Sequence, residues 1–140
     1  MASAAGFLDI VHASATRGAA ALEQVAQVRQ GLPISTVQSV LDQGMLTLAE
    51  LDQLVLPRKT LAHRRKLGRL TPEQSDRLVR VARLLAEAAA TFGTAQRAGT
   101  WLRRPTTALA GQAPLSLLDT DAGARAVETL LGRIAHGIAA

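Results

Sequence analysis

A chain of 140 residues, 48% of them apolar, can bury a real core, either as one domain or as two small helical halves. An aromatic content of 2% leaves that core to Leu, Val, Ile and Ala, and the absence of cysteine excludes disulfides and thiolate metal sites. The net charge of +5 is uneven: residues 58–83 carry nine bases against Glu73 and Asp76, residues 1–57 are net −3 and residues 84–140 net +1, so a polyanion would be drawn to one short segment.

Residues 1–18 are rich in Ala, Ser and Gly and read as a flexible N-terminus, with at most a turn of helix around Phe7 to Val11. Ala20 to Gln30 follows the helical period, with Leu22, Val25, Ala26 and Arg29 on one stripe expected to face the core. Gly31 and Pro33 stop it. Ser35 is the expected N-cap of a second helix carrying Val37, Val40 and Leu41, and Gly44 ends it. Thr47-Leu48-Ala49-Glu50 has the spacing of a capping box and opens a third helix, with Leu48, Leu51 and Leu54 inward.

After Leu56-Pro57 comes Arg58-Lys59-Thr60-Leu61-Ala62-His63-Arg64-Arg65-Lys66, ended by Gly68. Leu61 and Ala62, with Leu67, are expected to face inward. Two short helices with a tight turn, the second loaded with bases, make a helix-turn-helix pattern. The second helix would enter the major groove. Arg58, Lys59 and Thr60 would lie nearest base edges, and Arg64, Arg65, Lys66 and Arg69 would meet phosphates. His63 could reach either. Because one such motif reads few bases, a homodimer is expected.

Thr71-Pro72-Glu73-Gln74 is a sharp helix start: Thr71 caps, Pro72 sits where a missing N–H costs nothing, and Gln74 completes the box. The helix should run to Phe92, with Gly93 ending it and Leu78, Val81, Ala82, Leu85, Ala88 and Ala89 as its apolar seam. Thr94 opens a further helix through Ala98, Trp101 and Leu102, stopped by Pro105. A loop around Ala110-Gly111 follows, then a short turn from Pro114 to Leu118. Thr120 caps a last helix whose stripe is Ala124, Val127, Leu130, Leu131, Ile134, Ala135 and Ile138. Gly99 and Gly123 cost helix propensity and suggest close backbone approach.

No P-loop, dinucleotide fingerprint, HExxH or CxxC occurs, and His12, His63 and His136 are too scattered for a metal site by spacing. Nothing pairs a nucleophile with a base. The chain therefore reads as a binder: no catalytic residue, metal or cofactor is expected. No apolar run reaches the ~18 residues of a membrane span, and no leader pattern is seen. A cytoplasmic location, without a membrane partner, is expected.

The ordered series Leu70-Thr71-Pro72-Glu73-Gln74-Ser75-Asp76-Arg77-Leu78, Phe92-Gly93, Ala98-Gly99-Thr100-Trp101-Leu102, Pro105-Thr106-Thr107-Ala108-Leu109-Ala110-Gly111 and Ala113-Pro114-Leu115-Ser116-Leu117-Leu118-Asp119-Thr120 covers much of the second half. With Val127 to Ile134 and Gly137-Ile138, it resembles the C-terminal toxin-binding domain of the Xre/MbcA/ParS family of bacterial antitoxins. The part before it is similar to the helix-turn-helix half of the same family.

The resemblance implies an all-α chain. Residues 19–69 would form an Xre-like helix-turn-helix domain, joined by the long helix to a helical toxin-binding domain at 70–140. It also implies operator DNA and a cognate toxin as partners. That toxin would be of the NAD-destroying RES class, held in a hetero-oligomeric complex. The implied grip comprises Trp101, Arg103, Arg104, Pro105, Leu109, Gly111 and Arg133, with the tail His136, Gly137, Ile138, Ala139 and Ala140. The alternatives are a stand-alone transcriptional regulator whose C-terminal half only dimerises, and a scaffold or partition protein.

Overall fold

The computed structural model describes residues 18–137, so the expected turn at Phe7–Val11 and the tail residues Ile138, Ala139 and Ala140 lie outside the described residues. Among those described there are seven α-helices: α1 (Gly18–Gln30), α2 (Ile34–Asp42), α3 (Leu48–Leu54), α4 (Arg58–Leu67), α5 (Pro72–Phe92), α6 (Ala95–Leu102) and α7 (Asp121–Ala135). Short 3-10 turns occupy Thr107–Leu109 and Pro114–Leu117. No named strand occurs among the described residues; two isolated bridges, Pro33 with Arg69 and Thr106 with Gln112, are the extended pairings. The architecture is all-α. A helix-turn-helix half is joined by the long α5 to a helical C-terminal half. The chain forms two compact units, one ending at Val79 and the other beginning at Arg80.

Threonine starts most of the helices. Thr47 accepts from the Glu50 N–H while the Glu50 carboxylate accepts from the Thr47 N–H. Thr71 and Gln74 repeat that reciprocal pair. Thr94 accepts from Arg97 N–H and Thr120 from Gly123 N–H. Each satisfies a first-turn donor that has no partner within its own helix. Helix α2 differs from expectation: Pro33, not Ser35, is its N-cap. The fixed φ of Pro33 already sets the extended geometry a cap needs, and its carbonyl accepts from Thr36 N–H at 2.9 Å.

In the first unit the core gathers Leu32, Val37, Val40, Leu46, Leu51, Leu54, Leu56, Leu61 and Leu70. Two linkers are stitched across it. Leu70 N–H donates to Leu32 O, Ile34 N–H to Gly68 O, and Leu32 N–H to the buried Ser75 hydroxyl at 2.8 Å. Gly31, with φ +85°, lies so close to the Leu70 carbonyl that a Cβ there would collide with it.

One expected face is turned and two are narrower than expected. Helix α1 directs Ala20, Gln24, Gln27 and Val28 inward, while Leu22 is 72% and Val25 41% exposed. Leu48, at 40%, sits on the rim of α3. On α4, Leu61 is buried but Ala62 and Leu67 are exposed, because the inward positions one turn apart are Leu61 and Arg64.

Thr36 is fully buried, and its Oγ1 finds no hydrogen-bond partner among the described residues. Removing an unsatisfied hydroxyl removes its desolvation cost. Thr36→Val is expected to stabilise the protein by about 1 kcal/mol, read as a higher urea midpoint; a lower midpoint would mean the hydroxyl is bonded.

In the second unit Leu84, not Leu85, is the fully buried leucine of α5. Trp101 packs on Phe92 with ring centroids 5.2 Å apart and a 39° tilt, a favourable aromatic offset. Leu115 and Leu118 close the core against Ala124, Val127, Leu130 and Leu131, and the Pro114–Leu117 turn packs on both α6 and α7. Ala135, expected inward, is exposed. Gly123 bears out the expected close approach: its Cα lies under the Leu117 carbonyl, whose carbon would be 2.8 Å from a Cβ. Gly99 does not, since a Cβ there meets only the movable Arg103 guanidinium.

Candidate functional site

The basic segment folds as α4, held by its ends. Pro57 is its N-cap, and Gly68, in the left-handed region at φ +80°, returns its N–H to Arg64 O. Asp52 on α3 accepts from the Arg58 N–H at 2.9 Å, with the Arg58 guanidinium 3.9 Å away. A carboxylate at the helix's first N–H also complements its dipole. Asp52 was not singled out from sequence. An acid six residues before the basic run was the one available signal, and it has no fixed cap spacing.

At about 3.6 residues per turn, the exposed residues Arg58, Lys59, Ala62, His63, Arg65 and Lys66 share one side of α4. Ala62 lies in the middle, a low point flanked by cations. Thr60 is half-buried at the edge. Arg64 and Arg69, grouped with these from sequence, are placed differently. Arg64 Nε donates to Arg69 O at 2.7 Å, and Arg69 Nη1 donates to Gly31 O at 2.6 Å. Both are half-buried; Arg64 ties α4 to the linker that follows it, and Arg69 ties that linker to the one after α1. Their charge adds to the local positive field, but at least one donor of each is engaged within the fold.

In the second unit the residues expected to grip a partner fall in several places. Trp101 is buried against Phe92 and is not at the surface. Arg103, Arg104, Pro105 and Gly111 are exposed on the loop after α6, with Arg103 Nη1 donating to Gly99 O. That loop is closed by the Thr106 pairing with Gln112, and Ala110 takes the left-handed region at φ 57°, a strain of roughly 1 kcal/mol for a residue with a Cβ.

Leu109 and Arg133 come together. They line an open groove of about 320 Å³, whose apolar floor includes Leu109, Ala126 and Leu130 and whose rim carries Arg125, Thr129 and Arg133. Arg125 pairs with Asp121 at 2.6 Å. His136 and Gly137 are exposed at the end of α7, where Gly137 turns the chain at φ +71°.

Further along α5, Arg83 joins Glu128 at 3.0 Å and Glu87 at 3.6 Å. Burial, helped by repulsion from Glu128 and opposed by Arg83, holds the Glu87 carboxyl above the usual carboxylate range. This triad braces α5 against α7. Among the described residues no group of three or more His, Asp or Glu could hold a metal ion, and no helix is long and apolar enough to cross a membrane.

Residues 87–137 match the family model for the antitoxin Xre/MbcA/ParS C-terminal toxin-binding domain, and residues 23–83 match that for the antitoxin Xre-like helix-turn-helix domain. The chain is 36% identical over 112 residues to Antitoxin Xre of Pseudomonas putida, covering 79% of this chain and 70% of that one. It is 33% identical over 117 residues to Antitoxin Xre of Yersinia enterocolitica, covering 81% and 79%. A similar 33% over 118 residues holds for Antitoxin Xre of Photorhabdus laumondii, covering 81% and 78%.

Proposed function

From a chain that belongs to the Xre/MbcA/ParS family of antitoxins, we propose the antitoxin of a type II toxin–antitoxin pair that also binds and represses its own operator. The toxin in this reading is of the RES class and degrades NAD; the antitoxin silences it by occupying its active-site mouth. The observation that carries the reading is the presence, in one chain, of a helix-turn-helix match with a one-sided cationic helix and a separate toxin-binding-domain match.

The cationic side of α4 suits duplex DNA. Lys59, Arg65, Lys66 and Arg58 would neutralise phosphates or reach guanine edges, and His63 adds a donor at the flank. The methyl group of Ala62 leaves the centre of the face low, so the helix can approach the groove floor closely. A homodimer would place two such helices in successive major-groove turns. The toxin would be held by the second unit, through Arg103, Arg104, Pro105, Leu109, Gly111, Arg133 and the residues from His136 to Ala140.

Co-expression tests this. The product of the adjacent gene, expressed alone, should arrest growth and deplete NAD; adding this chain should restore both and yield a co-purifying complex. A neighbour that is harmless, or one that this chain neither binds nor silences, would overturn the toxin half of the reading.

A further inference from the structure

The groove between the Thr107–Leu109 turn and α7 commits to a particular kind of occupant. Its floor is apolar, its rim carries two arginines and a threonine, and no carboxylate is among the residues that line it. Arg125, Thr129 and Arg133 stand one turn apart along α7, so the two guanidiniums flank Thr129 on the same helix face. Leu130 is buried beneath, and Ala126 leaves space where a longer side chain would fill it.

We infer that this groove seats a segment of the toxin in which an apolar side chain lies beside a carboxylate. The apolar group would fill the space over Leu109, Ala126 and Leu130. The carboxylate would lie against Arg133, with Arg125, whose Nη2 is paired with Asp121, adding its remaining N–H donors. No acid lines the groove, and although Asp121 offsets Arg125 at one end, Arg133 still favours an acidic segment over a basic one. The inference rests on the toxin-binding reading above.

Thr129→Glu provides the test. The new carboxylate falls four residues from each arginine, so it forms ion pairs along α7 and should leave helix content and melting temperature unchanged or slightly higher. It also occupies the cationic rim and repels an incoming acid. The variant is compared with wild type by titration against the product of the adjacent gene, with Ala126→Phe, which fills the floor from an exposed position, as a second variant. Each should weaken the complex by at least about tenfold, with DNA binding unchanged. Wild-type affinity in both variants would overturn the groove as the docking site. Absence of binding by the wild-type chain itself would instead overturn the toxin reading on which the groove depends.

Discussion

Gly123→Ala is expected to destabilise the second unit by about 3 kcal/mol, while Gly132→Ala on the same helix is expected to stabilise it by up to about 1 kcal/mol. The two changes add the same methyl group to α7. At Gly123 that methyl meets the carbonyl of Leu117, a backbone group in the turn that packs under the helix, and it can be relieved only by moving the turn or the helix. Leu115 and Leu118, both buried, are anchored in that same turn, so the shift would open the core around Ala124 and Val127.

At Gly132 a Cβ meets nothing within 4 Å, and the only change is the lower backbone entropy of the unfolded chain. Urea unfolding of the two variants beside wild type reads both signs in one experiment. Equal stability of Gly123→Ala and wild type would show that α7 does not press on the Leu117 carbonyl. Toxin neutralisation should fall with Gly123→Ala and survive Gly132→Ala.

Arg58, Lys59, Arg65 and Lys66 changed together to alanine are expected to lower operator affinity at least about a hundredfold near 0.1 M salt, and to reduce the slope of log affinity against log salt by roughly 3 to 4. All four are exposed on α4, and the one ion pair lost among the described residues, Arg58 with Asp52, is solvent-exposed and worth at most about 1 kcal/mol. The Asp52 cap survives because it is made to the backbone N–H of residue 58.

Arg64 and Arg69 are left in place by design. Their guanidiniums hold Arg69 O and Gly31 O, so removing them would confuse a loss of fold with a loss of contact. A fluorescence-anisotropy titration at several salt concentrations measures the slope. An unchanged slope would place the DNA elsewhere on the molecule.

The helix ends were legible because their chemistry is local. Thr47 with Glu50, and Thr71 with Pro72 and Gln74, satisfy orphan donors within a single turn, and Gly68 and Gly93 take the left-handed conformation that ends a helix. The core stripe of α7 was legible too, since Ala124, Val127, Leu130 and Leu131 have no competing apolar face. Helix α1 was misread for the opposite reason. Leu22, Val25 and Ala26 make a regular stripe, but a periodicity gives a face without saying what the face meets; here Gln24, Gln27 and Val28 turn inward and the stripe meets solvent.

The candidate sites divide along the same line. By itself the sequence determined an all-α chain, its helix boundaries, the cationic run at Arg58–Lys66 and the family of its two halves, because capping, helical period and charge are properties of residues a few positions apart. Tertiary structure alone decided which arginines face outward. Arg69 differs from Arg65 and Lys66 by meeting the Gly31–Pro33 linker, nearly forty residues away in sequence, and Arg64 by donating to the Arg69 carbonyl. It also decided that Leu109 shares a groove with Arg133 and that Gly123 lies under Leu117. Each of these depends on where two distant backbones come to rest, and that is set by the packing of the whole unit.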